Sequence, residues 1–206
     1  MHGFPEATRR SRTREAMGAA AGADALWWPD ASICPSPNQD ARPNGLEPEL
    51  IVIHAISLPP GQFGGRFIEQ LFTNSLNPLE HPFFEEIADL RVSAHALIGR
   101  DGLATQFVSF DRRAWHAGAS CWNGRERCND FSIGIELEGC DERAFTDEQY
   151  SALVRLIRWL RERFPRLAAE DAIAGHSDIA PGRKTDPGPH FNWHRLWAGL
   201  AEESGT

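Results

Sequence analysis

The sequence lacks most of what would place its 206 residues in a membrane or on a nucleic acid. No run of 18 apolar residues occurs, so no membrane-spanning segment is expected. The basic start, with Arg9, Arg10, Arg12 and Arg14, has the look of a signal-peptide n-region. The apolar stretch that should follow is missing, because MGAAAGADALWW is broken by Gly18, Gly22 and Asp24. Residues 1–24 therefore read as a disordered leader rather than an export signal. No basic block follows residue 20 and the formal net charge is −8, so the concentrated positive field that phosphates require is absent. The four cysteines, Cys34, Cys121, Cys128 and Cys140, contain no C-x-x-C pair. A chain of this length builds its core without disulfides, so they read as free thiols in a reducing compartment. A G-x-S-x-G nucleophile motif is missing too, as is any internal repeat.

What is present is globular, with 41% hydrophobic residues. Residues 29–48 hold five prolines and one glycine, which predicts an extended approach rather than a helix. Residues 25–200 then read as one domain, with 201–206 as a tail. Strands are expected at Leu50–Ala55, Ala94–Ile98, Thr105–Ser109, Ser132–Glu138 and Ile173–Gly175. Asp101-Gly102 supplies a hairpin turn between the second and third. LIVIHA is apolar on both faces apart from His54, as in a strand covered on both sides. SIGIELE alternates, with Ile133, Ile135 and Leu137 on one face and Gly134, Glu136 and Glu138 on the other.

Asp147–Phe164 is the clearest helix. Thr146 and Gln149 form a capping box, Tyr150, Leu153, Val154, Ile157, Leu160 and Phe164 form one apolar stripe, and Pro165 follows. Shorter helices are expected at Arg66–Thr73 and from Trp193 to about Leu200, capped by Asn192. The fold class is α/β (α+β): a single domain with a mixed central β-sheet flanked by helices.

Three residues carry metal-type chemistry. His54 ends an apolar run, His176 opens HSDIAPGRKTDPGPH, and Asp186 lies in its proline-braced part. Singly, each has a plain reading: a core histidine bonded to a carbonyl, a loop histidine, an Asx-turn residue before Pro187. Two imidazoles and a carboxylate together are a set that leaves zinc an open position. Pro187, Pro189 and Gly188 make a rigid loop that can hold an aspartate still. Lys184, two residues from Asp186, points to the same side in extended backbone and could stabilise an oxyanion. A carboxylate on the strand SIGIELE could deprotonate water, and alternation alone does not choose between Glu136 and Glu138.

In order, HAISLPPGQFGG, LRVSAHALI, DRRAWHAG, GRERCNDFSIGIELEG and HSDIAPGRKTDPGP resemble the AmpD-type zinc N-acetylmuramoyl-L-alanine amidases, over about residues 26–198. The resemblance implies one Zn²⁺ per chain on His54, His176 and Asp186, Glu136 as the catalytic carboxylate, and Lys184 in the transition-state role. It implies that Arg91 and Arg127 grip the acidic stem peptide, as guanidinium groups can. It also places Trp115 and His116 in the substrate groove. The implied reaction is hydrolysis of the amide between 1,6-anhydro-N-acetylmuramic acid and L-alanine during cell-wall recycling. The implied setting is a cytoplasmic monomer acting on a small muropeptide, with no nucleic-acid or membrane partner. A related amidase acting on intact peptidoglycan outside the cytoplasm, and a non-catalytic peptidoglycan-binding module, are the alternatives. Three departures stand out: Ala55 where close relatives carry asparagine, Phe83 where relatives often carry tyrosine, and Gly182 in place of a larger residue. The first two bear on hydrogen bonding around the ligands, the third on loop mobility.

Overall fold

The computed structural model describes residues 25–202. The expected leader, 1–24, and residues 203–206 of the expected tail lie outside the described residues. The strands are β1 (Ala31–Ile33), β2 (Gln39–Asp40), β3 (Leu50–Ile56), β4 (Ala96–Ile98), β5 (Ala104–Gln106), β6 (Arg113–Ala114), β7 (Cys121–Trp122), β8 (Arg125–Glu126), β9 (Ser132–Glu138) and β10 (Ile173–Gly175). The helices are α1 (Phe67–Phe72), α2 (Pro82–Ile87), α3 (Asp147–Arg163), α4 (His176–Ile179) and α5 (Trp193–Ala201). Six strands form one mixed sheet in the order β1-β5-β4-β9-β3-β10, the expected architecture. β4, β9, β3 and β10 run parallel, and β5 is antiparallel to β4 and parallel to β1.

The long strands β3 and β9 occupy the middle and define two faces. On one, Ile51, Ile53, Ile133, Ile135 and Leu137 pack against Tyr150, Leu153, Leu156, Ile157 and Leu160 of α3. Each fully buried aliphatic side chain there contributes about 1.5–3 kcal/mol. Both halves of the α3 capping box form: the Gln149 amide N–H donates to Thr146 Oγ1 at 3.1 Å, and the Thr146 amide donates to Gln149 Oε1 at 3.1 Å. The Gln149 side-chain amide then donates to the Glu138 carbonyl at 2.9 Å, tying the start of α3 to the end of β9. Helix α3 stops at Arg163, and Phe164, ahead of Pro165, has left the helical region at φ −124°, ψ 88°.

Several expected elements are shorter than predicted. β4 begins late and β5 ends early because the Phe107 and Val108 amides both donate to the His95 carbonyl, at 2.9 and 3.4 Å. Two amides on one acceptor break the register, as in a bulge. Residues 29–48 are largely extended, as expected, with a turn at Pro29–Asp30 and a 3-10 turn at Pro43–Gly45. The short ribbons β2-β6 and β7-β8, and α2, were not anticipated. Among the described residues, no helix is long and apolar enough to cross a membrane.

Candidate metal centre and active site

The sheet register places the candidate residues. β3 and β9 pair in parallel with His54 opposite Glu136, so the two side chains project from the same face on adjacent strands. On the other side of β3, β10 ends with Gly175 opposite Ile53, and the chain turns directly into α4, whose first residue is His176. The loop after α4 returns so that the Ser177 amide donates to the Asp186 carbonyl at 2.9 Å. His54 Nδ1, His176 Nδ1 and Asp186 Oδ2 then form a triangle with sides of 3.0, 3.0 and 3.1 Å. His54 and His176 are buried and Asp186 is half-buried.

Hydrogen bonding assigns the imidazole tautomers. The Ser132 hydroxyl lies 2.6 Å from the Cys128 carbonyl, which can only accept, so the hydroxyl hydrogen is used there. Ser132 Oγ therefore accepts from His116 Nε2, 3.2 Å away. Burial, first of all, and then the neighbouring imidazoles push the His116 pKa well below its ordinary value, so the ring is neutral and its Nδ1 is an acceptor. That Nδ1 accepts from His54 Nε2 at 2.8 Å. His54, pushed down to about 4 chiefly by burial, is neutral as well, which leaves its Nδ1 bare. His176 Nε2 donates to the Ala117 carbonyl at 3.2 Å, turning its own Nδ1 toward the same point.

Three atoms able to ligate a metal thus converge, which is the arrangement a bound cation would reconcile. A triangle of this size has points about 2.0–2.1 Å from all three corners, the bond length of zinc to nitrogen and oxygen. Burial would raise the Asp186 carboxyl, but the adjacent His176 and His54 hold it well below the ordinary range, so it stays anionic. The residues fit a small divalent cation.

Glu136 is buried, and its Oε2 has no hydrogen-bond partner. Burial pushes its pKa well above the usual carboxylate range, the Asp186 charge adds to this, and Lys184 opposes it. Such a group holds a proton more readily than an exposed carboxylate does. Lys184 is exposed, close enough to act electrostatically on both Glu136 and His54, and is the only lysine in the chain. Glu138, the competing carboxylate, is already engaged: its Oε1 accepts from the Gly64 amide at 2.5 Å and its Oε2 from the Arg100 amide at 3.3 Å.

The remaining expected site residues lie farther out or act differently. Arg91 is exposed and donates to the Ala88 and Leu90 carbonyls, at 3.4 and 3.3 Å. Arg127 is also exposed, at φ 62°, and pairs with Asp130 at 3.2 Å. The Trp115 indole N–H donates to Asp40 Oδ1 at 3.3 Å. His116 is half-buried, and both its ring nitrogens are engaged, by His54 and Ser132. Gly182, expected to loosen its loop, sits at φ 76°, a conformation that suits glycine and strains larger residues. Phe83 packs against the apolar cluster around Phe84 and Phe107.

Four residues around the ligands were not anticipated: Asn129, Ser132, Gly134 and Arg183. Ser132 and Gly134 share a strand face with Glu136 by simple alternation, and that was the available signal. Gly134 matters through close approach: a Cβ there would lie 2.4 Å from His116 Cγ.

A mixed sheet whose central strands set His54 and Glu136 beside His176 and Asp186 defines a candidate metal site of the kind hydrolases use. The chain belongs to the N-acetylmuramoyl-L-alanine amidase family, whose model matches residues 44–189. It is 57% identical over 178 residues to the 1,6-anhydro-N-acetylmuramyl-L-alanine amidase AmpD of Enterobacter cloacae, a match covering 86% of this chain and 94% of that protein. The crystal structure of a selenomethionine AmpD derivative superposes with a TM-score of 0.83 at 54% identity, covering 87% of this chain and 99% of that one. AmpDh3 of Pseudomonas aeruginosa, solved in complex with anhydromuramic pentapeptide, is similar at a TM-score of 0.57 and 27% identity, over 78% of this chain and 62% of that one.

Proposed function

We propose that this chain hydrolyses the amide between 1,6-anhydro-N-acetylmuramic acid and the L-alanine of a stem peptide. The setting is peptidoglycan recycling in the cytoplasm, and the chain acts as a monomer with one zinc ion. The observation that carries this reading is the meeting of three possible metal-ligand atoms, 3.0–3.1 Å apart, beside the sheet face that carries Glu136 and its unpartnered Oε2. The relatives named for this activity support the substrate class.

His54, His176 and Asp186 would hold the ion. Bound zinc supplies Lewis acidity, polarising the amide carbonyl and making a water molecule easier to deprotonate. Glu136 takes the proton from the attacking water at its free carboxylate oxygen, aided by the burial that raises its proton affinity. It then delivers that proton to the leaving amine nitrogen. Lys184 places an ammonium charge near Glu136 and His54, where it stabilises negative charge developing on the carbonyl oxygen. Arg91 and Arg127, with free guanidinium donors at the surface, take the stem-peptide carboxylates. Trp115 offers an indole face to a sugar ring.

The test is incubation of purified zinc-loaded protein with anhydromuramyl tripeptide, followed by mass spectrometry. Release of free tripeptide is expected, with intact sacculi cleaved far more slowly. Folded, zinc-loaded protein that leaves the muropeptide whole would overturn the reading, and preference for sacculi would move the enzyme to polymeric peptidoglycan.

A further inference from the structure

The two candidate imidazole ligands come from different elements, yet their outer nitrogens end on one short stretch of chain. His54 Nε2 donates to the side chain of His116, and His176 Nε2 donates to the carbonyl of the next residue, Ala117. This strap belongs to no helix or strand, so its position depends on side chains that hold its backbone. Asn129 does this directly. Its Oδ1 accepts both strap amides, from His116 at 3.1 Å and from Ala117 at 2.8 Å. Arg183 Nη2 grips the opposite side, donating to the carbonyls of Ala117 and Ala119, each at 2.7 Å. Asn129 lies in the 3-10 turn Cys128–Asp130, which runs into β9 two residues later. The same turn provides the Cys128 carbonyl that fixes the Ser132 hydroxyl, and through it the protonation of His116.

We propose that Asn129 is a positioning residue for the metal centre: by holding the His116–Ala117 strap it fixes the orientation and tautomer of both His54 and His176 at once. The proposal rests on reading His54, His176 and Asp186 as a metal site. One oxygen accepting two successive amides sets the height and tilt of the strap together. A displaced strap takes both outer acceptors with it. Either imidazole can then rotate or move its hydrogen to Nδ1, where it blocks the metal. Partners in this position typically change metal affinity by about 10–100-fold.

Zinc affinity measured by competition with a chromophoric chelator, independent of turnover, tests this on wild type, Asn129→Ala and Asn129→Asp. Asn129→Ala should bind zinc about 10–100-fold more weakly. Asn129→Asp keeps an oxygen in place and should bind as wild type does. Wild-type affinity in Asn129→Ala, or equal loss in both variants, overturns the proposal. Nitrogen-15 imidazole spectra of the metal-free proteins supply a second readout that needs neither zinc nor a stable alanine variant. In wild type, His54 and His176 should both carry hydrogen on Nε2, with Nδ1 unprotonated. Hydrogen on Nδ1 of either ring overturns the proposal. If wild type binds no zinc while both rings show the expected tautomer, the metal reading fails and the proposal with it, a result distinct from zinc binding that Asn129→Ala leaves unchanged.

Discussion

Replacing Gly134 by alanine should damage both stability and metal binding through one displaced ring. An ideal Cβ at this position lies 2.4, 2.6 and 2.7 Å from Cγ, Nδ1 and Cδ2 of His116. Normal contact between such atoms is about 3.5–4.0 Å, so the ring must retreat by about 1 Å. The His54–His116 hydrogen bond, now 2.8 Å, cannot survive that displacement. Gly134 has no positive φ, so the cost comes from the collision and not from backbone strain. Overpacking of this kind costs about 1–3 kcal/mol and the lost hydrogen bond about 1 kcal/mol more. Together these lower the Tm of the metal-free protein by roughly 5–15 °C at about 2–4 °C per kcal/mol. Zinc affinity should fall about 10–100-fold, since His54 loses the partner that directs its Nδ1. Differential scanning calorimetry and chelator competition measure the two effects. The decisive comparison adds Gly134→Ala to His116→Ala, where the obstructing ring is gone and the alanine should cost little. A Gly134→Ala penalty of the same size in both backgrounds refutes the reasoning, as does a variant that melts and binds zinc like wild type.

Zinc at a hundredfold excess over its Kd should stabilise wild type by about 2.7 kcal/mol, raising Tm by roughly 5–11 °C. Asp186→Ala should show no such shift, and an unchanged wild-type Tm would remove the metal site. Lys184→Met should lower kcat by about 10²–10³ with zinc content intact. Because Lys184 is the only lysine, an amine-directed reagent should inactivate the enzyme by modifying that one side chain, as read by peptide mapping. Glu136→Gln should lower turnover by about 10²–10⁴ and raise the metal-free Tm at neutral pH. The sign follows from the raised folded-state pKa. As pH climbs through the ordinary carboxyl range the unfolded chain loses its proton first, so wild-type stability falls relative to Glu136→Gln until the folded carboxyl ionises. A constant Tm difference from mildly acidic to neutral pH would count against it.

The parts of the fold legible in the sequence were those encoded locally. The capping box at Thr146 and Gln149, the β9 alternation and the Asp101-Gly102 turn each depend on neighbours within a few residues, and each forms. Helix α2 depends on an uncommon cap, in which His81 Nδ1 accepts from the Phe83 amide at 3.1 Å ahead of Pro82, a signal weaker than serine or aspartate would give. The ribbons β2-β6 and β7-β8 are two residues long per strand, too short for a periodic pattern. At the site, the candidate ligands were legible because histidine and aspartate carry their chemistry in the residue type. The role of His116 was not, because it depends on contacts with His54 and Ser132, 62 and 16 residues away, whose geometry follows only from the pairing of β3 with β9.

That pairing also separates the two glutamates that alternation could not. Residues 132, 134, 136 and 138 occupy one face of β9 at about 6.6 Å intervals, and each meets a different neighbour. Ser132 receives the hydrogen of His116, Gly134 leaves room for its ring, Glu136 sits across from His54, and Glu138 sits across from Ile56. One step along the face therefore changes a carboxylate's surroundings completely. At 138 both oxygens accept backbone amides, from Gly64 and Arg100, so the side chain secures two loops. At 136 one oxygen is buried without a partner beside the convergent ligands. An unpartnered buried carboxylate oxygen is costly, commonly by about 1–3 kcal/mol, and its presence opposite His54 is best explained by a requirement of the reaction. Sliding β9 by two residues against β3 would leave the alternation and the apolar core pattern intact, yet it would bring Gly134 or Glu138 opposite His54. The parallel register, more than the presence of either glutamate, determines which one lies opposite His54.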